Sequence, residues 1–151
     1  MKSILLVEDS RFLRLANERA LVKAGYSVVT AGDGEEALRI ANAMIPDLIL
    51  LDMLLPTLGG VQVLQALRSN VLTALIPVVV LSSLPQINEF KLKKEGATAY
   101  IEKSQLNLGQ NSETLIAIVK KTLDDFTELH VPTMPPVEDH LSSRLVRESQ
   151  T

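Results

Sequence analysis

Three short stretches of the chain are apolar at every position instead of at alternate ones: Ile4-Leu5-Leu6-Val7, Leu48-Ile49-Leu50-Leu51 and Val78-Val79-Val80-Leu81. A strand with one wet face alternates. A strand that is apolar throughout is covered on both faces, as in a parallel sheet sandwiched between helices. A weaker run at Val28-Val29 and a shorter, mixed one at residues 98–101 complete a set of five. Between the runs the apolar spacing becomes helical. Ser10 is placed to cap a helix carrying Leu13, Ala16, Ala20, Leu21 and Ala24, with Gly25 at its end. Asp33 and Glu36 have capping-box spacing ahead of Ala37, Leu38, Ile40 and Ala41. A third helix is predicted from about Gly60 to Ser69, with Val61, Leu64 and Leu67 inward. Pro85 suits the first turn of a fourth, which Gly96 closes. Asn111 or Ser112 opens a fifth, with Leu115, Ile116, Val119, Leu123 and Phe126 on one stripe.

Strand–helix repeated five times, joined by right-handed crossovers, gives an α/β fold: a three-layer (βα)5 doubly wound parallel sheet. The 151 residues, 46% of them hydrophobic, suffice for one domain with its own core. The absence of cysteine excludes a disulfide framework, a thiolate zinc site and a cysteine nucleophile. His130 and His140 are too few and too late in the chain for a histidine metal site. The net charge of −3 comes without a basic block, so no nucleic-acid partner is expected. Glu8 and Asp9 cut off the first apolar run, which is too short for a signal segment or a membrane span. A soluble, cytoplasmic protein without membrane insertion is expected. Composition changes after His130, where Pro132, Pro135 and Pro136 fall within a stretch free of glycine and aromatics. Residues 1–130 read as the domain and 131–151 as a proline-containing tail. In that tail, 131–136 form a linker, and Leu141, Leu145 and Val146 mark a short helix that is marginal alone.

Function is carried by the polar residues that end the strands. Glu8 and Asp9 follow the first, Asp52 the third, Ser82 the fourth, and Lys103 lies just past the fifth. In a parallel sheet these positions share one edge, where open α/β sheets bind ligands. Each residue alone has an ordinary reading: a turn or helix cap for Asp52 and for Glu8-Asp9-Ser10, a cap for Ser82-Ser83, a solvated surface lysine for Lys103. Their convergence changes the reading. Like charges at close range oppose ionisation unless a cation joins them. Mg²⁺ fits best, because it takes one or two carboxylates and leaves room for phosphate oxygens. A hydroxyl and an ammonium beside it suit an oxyanion. Asp52, alone at the centre, is the natural carboxylate nucleophile for an aspartyl phosphate.

With these residues in place the sequence resembles the response-regulator receiver domain of two-component signalling. The matching pieces run from Ile4 to Ser10, through Ala31-Gly32-Asp33-Gly34-Glu35-Glu36-Ala37-Leu38, to Pro46-Asp47 and the run ending Asp52-Met53-Leu54-Leu55-Pro56 with Gly59-Gly60. They continue with Pro77 to Ser83 and with Gly96-Ala97-Thr98-Ala99-Tyr100-Ile101-Glu102-Lys103. The resemblance covers residues 1 to about 129. It implies a stand-alone, CheY-like (flavodoxin-like) sheet in the strand order 2-1-3-4-5. Asp52 would accept phosphate from a histidine kinase or a histidine phosphotransfer protein. Glu8, Asp9 and Asp52, with the backbone carbonyl of Met53, would hold Mg²⁺. Ser82, Ser83 and Lys103 would contact the phosphoryl oxygens. Ser82 and Tyr100 would form the switch, and the output face toward a downstream effector protein would be the fourth helix, fifth strand and fifth helix. The protein would be a monomer or a phosphorylation-linked homodimer, and no enzyme beyond its own phosphotransfer and dephosphorylation.

Two positions depart from the family. Ser104 stands where a proline, often after a cis bond, usually follows the lysine. A cis bond before serine costs about 2.5–4 kcal/mol, so the family's path does not transfer to residues 104–111. Leu54 and Leu84, two beyond Asp52 and Ser82, occupy the positions that flank the attacking water and are often polar. Leucines cannot orient a water, which implies slow hydrolysis of the phosphorylated form, or else a partner contact. The competing reading is a receiver-like interaction module that works without phosphorylation; the intact acidic, serine and lysine positions argue against it. Enzymes on similar folds lack their motifs here. Glu8-Asp9-Ser10-Arg11 is not a flavodoxin phosphate loop, and Leu54 replaces the second aspartate of haloacid-dehalogenase-like phosphatases. Walker and dinucleotide fingerprints are absent.

Overall fold

All three wholly apolar runs are strands, with every residue of them 1% exposed or less. The computed structural model of the protein describes residues 1–83, 89–103 and 112–130. The expectations at Leu84, Pro85, Asn111, residues 104–111 and the 131–151 tail lie outside those residues. Strands β1 (Ser3–Val7), β2 (Ser27–Ala31), β3 (Leu48–Asp52), β4 (Val78–Ser82) and β5 (Ala99–Glu102) form one parallel sheet in the order β2-β1-β3-β4-β5. Helices α1 (Arg11–Lys23), α2 (Gly34–Met44), α3 (Gly60–Ser69), α4 (Glu89–Lys94) and α5 (Glu113–His130) follow the strands in turn. The weak second run extends over five residues and the fifth strand starts one residue later than predicted.

Alternation along the strands divides the core in two. Leu5, Val7, Ile49, Leu51, Val78 and Val80 pack with Ala37 and Ala41 of α2, Val63, Leu64 and Leu67 of α3, and Leu92 of α4. Ile4, Leu6, Leu48, Leu50, Val79, Leu81 and Ile101 pack with Leu21 of α1 and with Leu115, Val119 and Leu123 of α5. Each fully buried leucine or valine contributes about 1.5–3 kcal/mol of transfer free energy. The expected helix faces hold with two corrections. Val63 is the buried valine of α3, while Val61 is only partly covered. Asn17, not Ala24, joins Leu21 on the buried face of α1, and Ala24 is exposed.

The caps form as predicted, with one change of partner. The Ser10 hydroxyl accepts the Leu13 N–H at 3.4 Å, and Asp33 Oδ1 accepts the Glu36 N–H at 2.8 Å. The Glu36 carboxylate reaches back to the N–H of Gly32, at 3.5 Å, one residue before the cap. Gly25 and Gly96, at the ends of α1 and α4, have φ of 102° and 114°, which favour glycine. The chain turns one way from β1 to β2 and the other way to β3. The loops after β1 and β3 therefore part and leave a crevice between them.

Candidate functional site

Register builds the crevice. Val7 pairs with Leu51, so Glu8 and Asp52 are the next residues along on adjacent strands. Asp52 pairs with Leu81, and Ser82 with Glu102. Alternation then sorts the side chains. Glu8, Asp52 and Lys103 fall on the α1/α5 side of the sheet, and Ser82 and Tyr100 on the side of α2, α3 and α4.

The carboxylates of Glu8, Asp9 and Asp52 each offer an oxygen within 4.8 Å of the other two. Glu8 and Asp52 are buried, at 1% and 2% exposure, and Asp9 is exposed at the mouth. Lys103 Nζ lies 2.9 Å from Asp52 Oδ2, to which it donates a hydrogen bond. It donates to Glu8 Oε1 at 3.3 Å and lies 3.1 Å from Glu8 Oε2. The contact with Oε2 is close in distance but lacks hydrogen-bond geometry. Among the described residues, Oε2 is a buried oxygen that accepts no hydrogen bond.

Burial first, and the charge of Asp52 second, push the Glu8 carboxyl from its ordinary 4.5 up to about 6, against the pull of Lys103. Burial also works against the Lys103 ammonium. The hydrogen bond and charge of Asp52, with Glu8 behind them, outweigh it and hold its pKa above the ordinary value. One ammonium is thus shared by two buried carboxylates with a third beside them, and a buried carboxylate oxygen is left without a donor. That arrangement fits a hard cation with oxygen ligands. Glu8, Asp9 and Asp52 are the residues that would hold it.

The surrounding loops are fixed by backbone bonds. The Glu8 carbonyl accepts from the Arg14 guanidinium at 2.9 Å, and Glu8 Oε1 accepts the Ser10 N–H at 3.3 Å. Asp52 Oδ1 accepts the Leu54 N–H at 3.2 Å. The Met53 carbonyl accepts the Gly60 N–H at 3.1 Å, so one of its lone pairs is committed to the start of α3. A Cβ on Gly60 would lie 2.6 Å from Met53 Cα and 2.9 Å from the Asp52 carbonyl oxygen. Only glycine lets α3 begin this close to the end of β3.

The remaining predicted residues take varied positions. Ser82 is fully buried at the end of β4, and Ser83 is exposed. Tyr100 is half-buried and packs against the core on the α2–α4 side. Leu54 is 60% exposed beside Asp52, and Leu84 lies outside the described residues. Sequence reasoning missed two contributors, Arg14 and the Leu54 N–H. The first sits one turn into α1, where nothing in the spacing marks an arginine that folds back. The second is backbone and leaves no side-chain signal.

A doubly wound parallel sheet with a lysine-clamped acidic cluster at its switch point defines a class of small acidic-site domains. Comparison with known proteins names the family. The model for the response regulator receiver domain matches residues 4–120, and the chain belongs to that family of two-component signalling domains. It is 39% identical over 103 residues to the alkaline phosphatase synthesis transcriptional regulatory protein PhoP of Bacillus subtilis, covering 68% of this chain and 42% of that protein. It is 43% identical over 107 residues to the gliding motility regulatory protein of Myxococcus xanthus, covering 70% of this chain but 14% of that one. Among solved structures, the chemotaxis protein CheY4 of Vibrio cholerae superposes with a TM-score of 0.72 at 30% identity, over 81% of this chain and 98% of that one. A CheY-like receiver domain protein of Methanospirillum hungatei gives 0.75 at 25% identity, over 85% and 98%. No helix among the described residues is long and apolar enough to cross a membrane.

Proposed function

We propose that this receiver domain accepts a phosphoryl group on Asp52 and reports it through the face formed by α4, β5 and α5. The observation that carries the reading is Lys103 Nζ, held 2.9 Å from Asp52 and 3.1 Å from Glu8, with an Asp9 carboxylate oxygen within 4.8 Å of oxygens of both those acids. An Asp52 oxygen attacks phosphorus as the P–N bond of a donor phosphohistidine breaks, and the histidine nitrogen keeps the bonding pair. Glu8, Asp9 and Asp52, with the Met53 carbonyl, would hold Mg²⁺, which would supply the positive charge that lets carboxylates and phosphoryl oxygens share the site. On this reading Lys103 exchanges its contacts with Glu8 and Asp52 for a phosphoryl oxygen. The Ser82 hydroxyl, from the strand beside Asp52, donates to another, and the exposed Ser83 that follows it is a second donor on this reading.

The readout uses the far side of the sheet. Phosphorylation adds about one net negative charge and new acceptor oxygens. Ser82 and Tyr100 share a face, so a shift of Ser82 toward the phosphoryl group opens space beside the Tyr100 ring. On this reading the donor is a histidine kinase or phosphotransfer protein and the receiver of the signal is an effector protein, all in the cytoplasm. The domain acts on itself and on no separate substrate.

The test is labelling with a small phosphodonor. Intact-mass measurement is expected to show one phosphoryl adduct that requires Mg²⁺, disappears on chelation and is absent from Asp52→Asn. An adduct that persists in Asp52→Asn, or none in the wild type with Mg²⁺ present, overturns the proposal.

A further inference from the structure

At the opposite edge of the sheet from the acidic crevice, four large apolar side chains stand in solvent. Ile45 is 42% exposed, Val71 89%, Leu72 61% and Leu75 71%. They line one groove of about 300 Å³, with Ile76, Leu123 and Phe126 among its other walls. Clustered apolar exposure of this kind marks a contact surface.

The groove is not a loose loop. Thr73, between the exposed residues, is buried, and its hydroxyl donates to the Leu67 carbonyl at 2.7 Å. The Leu72 N–H donates to Asn70 Oδ1 at 3.0 Å. The Arg68 guanidinium donates to the carbonyls of Ala74 at 3.0 Å, Ile76 at 2.6 Å and Gly96 at 2.9 Å. Four polar anchors therefore hold Val71, Leu72 and Leu75 outward. The Asp47 carboxylate at the groove is turned away onto the N–H and hydroxyl of Ser3, at 2.7 and 3.2 Å.

The path of the chain says what fits there. α5 descends toward this edge, and Leu123, Phe126 and Thr127 of its last turns are groove walls. The next residues after His130 are Val131-Pro132-Thr133-Met134-Pro135-Pro136-Val137, which carry three apolar side chains and no charge. Three prolines favour an extended conformation of about 3.1 Å per residue, so seven residues span roughly 22 Å. Prolines also lower the entropy lost when the segment is fixed in place. Glu138 and Asp139 follow, and Lys2 is an exposed cation at the groove. We propose that residues 131–137 of this chain dock in the groove formed by Ile45, Val71, Leu72, Leu75 and Phe126, with Glu138 and Asp139 toward Lys2.

Because the natural chain has no cysteine, paired thiols report the contact in the full-length protein. Leu72→Cys with Met134→Cys is compared with Lys23→Cys with Met134→Cys, using a short bismaleimide crosslinker. Lys23 is exposed at the same end of the molecule but is not part of the groove. The groove pair is expected to link within one chain about tenfold faster than the control, what docking worth about 1.4 kcal/mol produces. The rate should be independent of protein concentration. Adding Val131→Ser and Val137→Ser, which removes apolar side chains from the docking segment and leaves the groove itself unchanged, should return it to the control rate. Equal rates for the two pairs overturn the proposal, as does a rate untouched by the serine changes. Crosslinks between chains, rising with concentration, overturn it in favour of a second copy in the groove.

Discussion

Lowering the pH should loosen Mg²⁺ by an amount set by Glu8. Its carboxyl is held at about 6, chiefly by burial and then by Asp52. A cation can use the carboxylate only when it is ionised, so protons and metal compete. For a group titrating near 6, the dissociation constant rises by a factor of one plus ten to the power of the pKa less the pH. That factor is about 1 at pH 7.5, about 4 at pH 5.5 and about 11 at pH 5. At pH 6 metal binding should release about half a proton, and at pH 7.5 almost none.

The sign for the metal-free fold follows from the same shift. In the window from 4.5 to about 6 the folded state binds more protons at Glu8 than the unfolded state does. This group therefore contributes most stability at the acid end and loses about 2 kcal/mol of it as pH rises through 6. Isothermal titration calorimetry in buffers of different ionisation enthalpy reads both affinity and proton release. Glu8→Gln should bind metal more weakly throughout but without this proton-linked step. Wild-type affinity that is equal at pH 7.5 and 5.5, with no proton released at pH 6, would refute the reasoning that Glu8 is a ligand raised by burial.

Further outcomes follow from individual contacts. Lys103→Met removes the cation from two buried carboxylates and should lower stability by about 3 kcal/mol, in the range for breaking a buried pair. Saturating Mg²⁺ should recover most of that loss in a calorimetric melt, and a loss unchanged by Mg²⁺ would contradict the cluster. Gly60→Ala places a methyl group against the backbone of Met53 and Asp52, and should cost about 1–3 kcal/mol in urea unfolding. An unchanged urea midpoint would show that α3 can retreat freely. Leu54→Asn, at an exposed position beside Asp52, should shorten the lifetime of the acyl phosphate by giving water a hydrogen-bond partner. A decay rate equal to or below that of the wild type, followed by intact mass, would count against water exclusion by this leucine.

The strands and their shared edge are legible in the sequence because a strand buried on both faces has no polar alternative to display, whereas their order is implied only by the family resemblance. Glu8, Asp52 and Ser82 are conspicuous as the first polar residues after wholly apolar runs. β2 is harder to see because it is a sheet edge: its burial alternates, and Ser27 and Val29 stay exposed. β5, the other edge, has one neighbour to set its limits, and it starts at Ala99 instead of Thr98. The choice between Val61 and Val63 on α3 turns on helix rotation, which spacing alone leaves free by a residue or two. Loop geometry is the least legible. The Arg14 clamp, the Leu54 N–H and the Gly60 bond to Met53 depend on how the backbone closes over the crevice after the strands have paired.

The site's composition also explains why it must be held so firmly. Two buried carboxylates next to each other, one of them with an oxygen that accepts no hydrogen bond, oppose folding unless a cation compensates them. Lys103 compensates in part from the end of β5, and Glu8 still carries a raised pKa. The rest of the molecule supplies the balance through two cores of buried leucines, isoleucines and valines. A core that contributed less would relax by opening the β1–α1 or β3–α3 loop and letting water reach Glu8, and the charge imbalance would disappear. The arrangement is useful to a receiver because it persists. An unmet demand for positive charge, locked in by packing, is what a metal ion can satisfy and what an added phosphoryl group can disturb.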